Sequence, residues 1–487
     1  MKFPIISFSQ KSEYLLLGLI LCFAFYMAFI PHLESDYPLH VDEWSNYGLS
    51  QAVSLSGSIV HEDPFLGERI IRDHPEIGFH ILLAMVKLVT GVSWLSIYQF
   101  LPSALFVLTT LSAFIVGKRL GCGLEAAFFI TLMPTTVRFL GPAFLVPVTL
   151  GIPVILMLIF LIHNAALSVP KVIILFLFSY FLWLVHPPTA AAVVLIGSVY
   201  AIAIGYSDWK LRGIWWRHPA MILGVLLGST LTLVPRYSNL ITEVTEDIDV
   251  MLSGDIYPLP LVYDALMKFG YIPLALFVIG VWFLSTNGKA RSYALLSSGL
   301  AFLVILATFS HFRLGSGLMY DRSWLYFFLF ASIFAGFGVR EIRRIGSRYY
   351  RGSFSQLATL FGVVAIFLPA IIFGVKGHHD EQYYHIISDS EYAAFTWIGM
   401  NLGNEYGKVL VDPWPALALP PLSVEKAVYT YSAFIPGPKR ANRISEAREF
   451  LRSGGTDTLW LQENGIRVIF SWADLETTDL EKVRGSV

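Results

Sequence analysis

Apolar runs long enough to cross a bilayer recur along this 487-residue chain, and no other feature restricts its fold as strongly. A hydrocarbon core about 30 Å thick needs roughly 20 apolar residues of helix. Such runs lie near 14–31, 94–117, 143–162, 170–186, 188–206, 219–235, 270–286, 292–310, 320–338 and 355–375, with a shorter one near 123–137. Charged residues make up only 14% of the chain, against roughly 25% in soluble domains. A polytopic α-helical membrane protein is expected, with membrane lipid as its surroundings and no nucleic-acid partner.

The net charge of −1 hides a segregation of sign along the chain. Lys2 and Lys11, Lys118 and Arg119, Lys171, Lys210 with Arg212 and Arg217, Lys289 with Arg291, and Arg340, Arg343, Arg344, Arg348 and Arg351 fall on alternate connections. The positive-inside bias assigns these to the cytoplasm. The acidic connections, 32–76 and 236–269, then face outward. This pattern closes only if 75–92, with Lys87 inside it, lies as an amphipathic helix at the outer interface. A crossing there would flip every later span and put the five-arginine run outside, against the bias. The expectation is therefore about eleven transmembrane helices plus an interfacial helix over 1–376, in a multi-pass protein of the plasma membrane with a cytoplasmic N-terminus. The first apolar stretch lacks a small-residue cleavage site and reads as an uncleaved signal anchor.

Residues 377–487 then lie outside the cytoplasm, and their composition changes. A helix is expected near 389–402 and another near 444–453, with strand-like runs at Lys408-Val409-Leu410-Val411-Asp412, Ala427-Val428-Tyr429-Thr430-Tyr431 and Ile466-Arg467-Val468-Ile469-Phe470. This alternation predicts a small extracytoplasmic α/β domain with a partly parallel sheet. Cys22 in the first span and Cys122 in a cytoplasmic loop are not expected to meet across the bilayer, so no disulfide framework is expected. The chain shows no sustained repeat, no low-complexity tract and no Gly-rich phosphate loop.

Chemistry is expected where His40-Val41-Asp42-Glu43-Trp44 meets the bilayer surface. Carboxylates at that depth are costly unless they bind or catalyse something. Asp42 and Glu43 can serve as a general base on an acceptor hydroxyl, or share a divalent metal such as Mg or Mn. An exposed acidic loop that only orients the protein is the plain alternative. In Arg72-Asp73-His74-Pro75-Glu76, an N-cap role for Asp73 explains the pattern best, and Asp73 and His74 are accessory candidates. Cations gather on the same outer side: Arg138, His186 before Pro187-Pro188, Arg236, His311, Arg313 and Arg322. Singly, each can snorkel or pair with an acid such as Asp321. As a set they suit a phosphate, which the planar guanidinium grips with two parallel hydrogen bonds. His378, His379, Asp380 and His385 lack a defined ligand geometry and read as a juxtamembrane linker.

The order of these features resembles the GT-C superfamily of membrane glycosyltransferases, which includes protein O-mannosyltransferases, aminoarabinose transferases and oligosaccharyltransferase catalytic subunits. Asp42-Glu43 matches the acidic motif of the first outward loop, and His74-Pro75-Glu76-Ile77 a His-Pro-Pro-Leu-like helix start. Lys118-Arg119-Leu120-Gly121 matches the basic pair that ends a leucine-rich span. Arg138-Phe139-Leu140-Gly141-Pro142 keeps the Arg and Pro of a further motif but lacks its Asp, and the sequon-reading Trp-Trp-Asp-Tyr-Gly motif is absent. The resemblance implies a polyprenyl-phosphate or polyprenyl-diphosphate sugar donor and a protein, lipid or glycan acceptor on the outer face. It further implies Asp42 as base, inversion at the sugar carbon, and Arg138 and Arg322 at the departing phosphate. Two rivals remain: a non-catalytic scaffold or lipid-linked-glycan binder of the same fold, and a secondary transporter. The transporter fits worse, since its charges belong near the midplane between repeated halves.

Overall fold

The computed structural model describes residues 10–67, 70–72, 74–163, 168–212, 217–233, 262–287, 289–312, 317–349, 353–381, 383, 385–403, 406–424, 426–430, 438–472, 475, 480 and 481. The chain opens with α1 (Gln10–Phe29) and a 3-10 turn (Ile30–Leu33), followed by α2 (Val41–Ser56). A short antiparallel pair, β1 (His61–Glu62) and β2 (Ile70–Ile71), precedes α3 (Ile77–Thr90), α4 (Trp94–Leu120), α5 (Gly123–Thr131), α6 (Pro147–Ile162), α7 (Val169–Val185), α8 (Pro187–Arg212) and α9 (Arg217–Leu231). Next come α10 (Val262–Phe269), α11 (Tyr271–Asn287), α12 (Ala290–Phe312), α13 (Gly317–Tyr349) and α14 (Ser353–His379). The last stretch holds α15 (Asp389–Asn401), β3 (Lys408–Leu410), α16 (Leu419–Ser423), α17 (Pro438–Arg452), α18 (Thr458–Glu463) and β4 (Ile466–Ile469).

Five of these helices are long and apolar enough to cross a membrane among the described residues: Gln10–Leu33, Trp94–Leu120, Pro187–Ser207, Ala290–Phe312 and Met319–Gly346. Shorter apolar helices include Pro147–Ile162, Val169–Val185, His218–Leu231, Tyr271–Thr286 and Val364–His379. Helix is the form such runs must take, because hydrocarbon offers no partner to an unpaired backbone N–H or C=O. The chain is an integral membrane protein.

Two compact units divide the chain. The helical unit takes Met1–Leu33, Phe100–Thr242 and Ile248–Gln382. Small residues let its backbones approach: a Cβ on Gly280 of α11 would stand 1.9 Å from Phe334 O of α13, and one on Gly338 2.3 Å from Leu276 O. Glycine here replaces side-chain bulk with direct backbone packing, the usual device where lipid supplies no hydrophobic drive between helices. Gly336 meets Ala126 of α5 in the same manner. Around these contacts Phe128, Phe129, Leu132, Leu276, Ala335, Val339 and Ala370 form a core. The arginine run at the end of α13 is partly internal: Arg343 pairs with Glu125 at 3.0 Å, and Arg340 NH1 donates to Leu120 O at 2.7 Å.

The run at 123–137 is not a helix throughout. Helix α5 stops at Thr131, and its nine residues reach only about 14 Å at 1.5 Å each. Pro134 and Pro142 remove donors from the continuation, so 132–146 runs as a buried irregular segment before α6 starts at Pro147.

The mixed unit takes Glu34–Gln99, Glu243–Asp247 and Tyr383–Val487. Strands β3 and β4 pair in parallel, Val409 with Val468 and Leu410 with Ile469. Leu410, Tyr429, Ala447, Phe450, Leu461 and Ile466 close a core over them. Of the expected third strand at 427–431, the described residues keep one parallel bridge, Val428 to Val409, with the Val409 amide on Ala427 O and the Tyr429 amide on Val409 O, while the Val428 amide donates on the opposite edge to Phe65 O. Asp42 and Glu43, expected in a loop, stand in the first turn of α2. His40 caps that helix with its ring, and Gly57 ends it in the left-handed region at φ 62°. Val53 of α2 packs against Ile77 and Ala84 of α3. The expected outer loop 236–269 falls mostly outside the described residues.

Candidate active site

Two adjacent acids have opposite environments in the mixed unit. His40 Nδ1 accepts from the Asp42 amide at 3.1 Å, and the Glu43 and Trp44 amides reach back to His40 O, which starts the helix. Glu43 is fully buried, and its Oε2 accepts from the Leu39 amide at 2.8 Å. The Asp42 side chain stays 27% exposed, with Oδ2 3.8 Å from His40 Nδ1. Asp42 is thus a carboxylate open to a reactant, while Glu43 holds the turn that presents it. Behind them Tyr47 sits among Trp44, Trp94 and Tyr98, with ring centroids 5.9, 5.5 and 5.6 Å away. Burial pushes the Tyr47 phenol above its ordinary range, so it remains protonated.

His74 does not share the Asp42 turn. Its Nδ1 accepts from the Glu76 amide at 3.2 Å, and its ring meets His80 edge-on at 4.7 Å. His80 is buried on α3 and bonds Ser50 of α2 at 2.9 Å between Nδ1 and Oγ. Burial, and then the neighbouring His74 and His61, hold His80 well below the usual imidazole range. This cluster fastens α3 to α2. Asp73 lies outside the described residues, and Glu76, not Asp73, occupies the N-cap of α3.

A second constellation belongs to the helical unit. In the segment after α5, Thr136 Oγ1 accepts from the Arg138 and Phe139 amides at 3.3 and 3.0 Å. Leu140 is held at φ 48°, and a Cβ on Gly141 would meet Pro134 O at 2.5 Å. A non-glycine residue in the left-handed region is a local strain that surrounding contacts must impose. Arg322 supplies one of them: its NH1 donates to Phe139 O at 3.3 Å. Arg322 is only 9% exposed, and its Nε is buried without a partner among the described residues. Beside it Arg138 Nε stands 3.8 Å from Asp321 Oδ1. His186 caps α7 and bonds Thr189 Oγ1 at 2.6 Å, and Thr189 continues to Tyr326 OH at 2.8 Å. The charge of Arg322 reaches both His186 and Tyr326.

The fold thus gathers Arg138, Arg322 and His186, far apart in the sequence, into one neighbourhood with Asp321. Two guanidiniums face one carboxylate there, leaving a surplus positive charge that suits an anionic oxygen. Thr189 and Tyr326 escaped the sequence reading, since a hydroxyl in an apolar run carries no signal until a partner 137 residues away meets it. Arg236 and Arg313 lie outside the described residues. His378 and His379, expected in a linker, form the last turn of α14, where His378 is buried and His379 contacts Tyr26 at 3.4 Å.

No three His, Cys, Asp or Glu side chains among the described residues come together as a metal cage. Glu43 Oε2 accepts from the Leu39 amide, and Asp42 is the more exposed carboxylate of the pair. With one acid buried and the other partly exposed, the two do not present a preformed two-carboxylate metal site.

No protein-family model and no curated protein matches the sequence. Solved structures match it in fold. The Archaeoglobus fulgidus oligosaccharyltransferase AglB, in complex with an inhibitory peptide and a dolichol-phosphate, matches with a TM-score of 0.61 at 12% identity, over 94% of this chain and 69% of that one. The same enzyme in complex with Zn and sulfate gives 0.62 at 11%, over 93% and 67%. ArnT from Cupriavidus metallidurans bound to undecaprenyl phosphate gives 0.57 at 11%, over 95% and 90%. The chain carries the fold of the GT-C membrane glycosyltransferases.

Proposed function

We propose that this protein transfers a sugar from a polyprenyl-phosphate-linked or polyprenyl-diphosphate-linked donor to a protein, lipid or glycan acceptor on the outer face of the membrane. The observation that carries this reading is the partly exposed Asp42 carboxylate at the start of α2, beside a buried Glu43 that fixes its turn. Asp42 takes the proton of the acceptor hydroxyl as the oxygen attacks the anomeric carbon. The bond to the lipid phosphate breaks on the opposite face, so the configuration inverts. Arg138 and Arg322, with His186 nearby, hold the phosphate as negative charge grows on it. The dolichol-phosphate bound to AglB and the undecaprenyl phosphate bound to ArnT support the donor class, and the acceptor peptide tethered to the Archaeoglobus fulgidus oligosaccharyltransferase in another of its structures supports a peptide among the acceptors.

The accompanying topology has about eleven crossings, a cytoplasmic N-terminus, α3 at the outer interface, and a C-terminal segment that shapes acceptor access outside. Transfer by the purified protein in lipid, assayed with a panel of radiolabelled polyprenyl-linked sugars with and without Mg or Mn, tests the function. No transfer from any donor, together with no donor binding, rejects it. Single-cysteine labelling tests the topology: a label that reaches positions 255 and 345 from the same side overturns it.

A non-catalytic lipid-linked-glycan binder is the second reading. It is favoured by the absence of an Asp after Arg138-Phe139-Leu140-Gly141-Pro142, and it predicts donor binding without transfer.

A further inference from the structure

The chain that leads into the Asp42 turn is gripped by residues more than three hundred positions away. Tyr37 OH donates to Asp389 Oδ1 at 2.8 Å, with a sequence separation of 352. The Tyr37 ring stacks on Tyr392 with centroids 5.0 Å apart, and Tyr392 also lies within electrostatic reach of Tyr47 on α2. Asp389 and Tyr392 belong to the first turn of α15, and Ser388 and Glu391 close that turn with a reciprocal capping box. The acceptor for Tyr37 is therefore carried by a fixed helix end.

A second hold comes from the same C-terminal stretch. Phe65 O accepts from the Val428 amide at 2.7 Å, and the Phe65 ring fills the space over Gly48 of α2, where a Cβ would meet Phe65 Cζ at 2.6 Å. Helix α2 is thus held on both sides of Asp42, before it through Tyr37 and after it through Gly48.

Little slack separates Tyr37 from Asp42. Pro38 has a fixed φ, the Leu39 amide is tied to Glu43, and the His40 ring caps the helix. A displacement at Tyr37 therefore passes along the backbone to the acid instead of being absorbed.

We propose that Tyr37 and Asp389 are positioning residues, a latch through which the C-terminal segment sets the aim of the Asp42 carboxylate. This adds an orienting task to a segment otherwise assigned to acceptor access, and its catalytic consequence rests on the reading of Asp42 as base.

The test uses the full chain in lipid discs, with Tyr37→Phe, Asp389→Ala, Asp389→Asn and the double variant Tyr37→Phe/Asp389→Ala. Hydrogen exchange of the Leu39, Glu43 and Trp44 amides reports the turn without any substrate. Turnover of a polyprenyl-phosphate-linked sugar reports its effect on chemistry. Each of Tyr37→Phe and Asp389→Ala is expected to speed exchange at those amides and to lower kcat by roughly 10- to 100-fold, the scale of an ångström-sized misplacement of a reacting group, with KM for the donor unchanged. Asp389→Asn keeps a carbonyl acceptor and restores both readouts. The double variant is no worse than either single, since each removes the same bond. Unchanged exchange in both single variants, or additive losses in the double, overturns the latch. Faster exchange with Asp42→Asn transferring normally leaves the latch standing and removes the base assignment instead.

Discussion

The Leu39 amide donates to Glu43 Oε2 at 2.8 Å, so the acid next to Asp42 is committed to the backbone that enters its own helix. Neighbours in sequence therefore divide the work. One carboxylate builds the turn, and the other is presented by it.

Substitutions separate the two roles. Asp42→Asn keeps the shape but cannot take a proton, so turnover is expected to fall by roughly 10²- to 10⁴-fold, the contribution of a positioned general base. Thermal stability and donor binding remain. Glu43→Ala leaves the buried Leu39 amide unpaired and costs roughly 1–3 kcal/mol of stability, read as a lower unfolding midpoint. Near-normal transfer by a folded Asp42→Asn protein rejects Asp42 as the base and favours the non-catalytic reading.

Arg322 has a buried Nε without a partner and an NH1 on the Phe139 carbonyl. If it also holds the donor phosphate, Arg322→Ala weakens binding of polyprenyl phosphate by about 10- to 100-fold, the worth of a hydrogen bond to a charged group. Arg322→Lys recovers only part of this, because an ammonium lacks the planar fork. Binding to lipid-disc protein measures it, and unchanged affinity in Arg322→Ala removes this residue from the donor site.

His80 predicts how the mixed unit responds to acid. Its imidazole is held neutral in the fold by burial, whereas the unfolded chain takes up a proton near the ordinary pKa of about 6.5. The unfolded state therefore binds more protons below that pH, and stability falls as pH drops through it. The unfolding midpoint is expected to decline from pH 7 to pH 5, with a shallower slope in His80→Asn, which keeps a partner for Ser50. Equal slopes in the two proteins contradict a neutral, buried His80.

Backbone contact between α11 and α13 predicts a steep size dependence at their glycines. Gly338→Val places atoms where Leu276 O already stands and is expected to cost at least the roughly 1–3 kcal/mol typical of overpacking. Gly224 on α9 has open space where its Cβ would go, so Gly224→Val serves as the matched control. Melting of both variants in detergent decides the point, and a Gly338→Val protein as stable as the control disproves the close approach.

Much of the architecture was legible in the sequence because hydrophobicity and charge belong to residues one at a time. A run such as 94–117 must be helical in hydrocarbon whatever packs beside it, and the strand-like character of 408–410 and 466–469 is equally local. The chemical type of Asp42, Glu43, Arg138 and Arg322 was visible for the same reason. Partner choice was not. Sequence alone had no means to show that 132–146 leaves the helix and lodges carbonyls on Arg322, or that the Val428 amide meets Phe65 O on the edge away from Val409. It also could not distinguish Asp42 from Glu43, since both are acids in the same short motif. The bond from Leu39 to Glu43 is local, but only tertiary packing buries Glu43 and leaves Asp42 partly exposed. Hydrogen-bond pairing and burial are properties of what meets across the fold, so they were decided there.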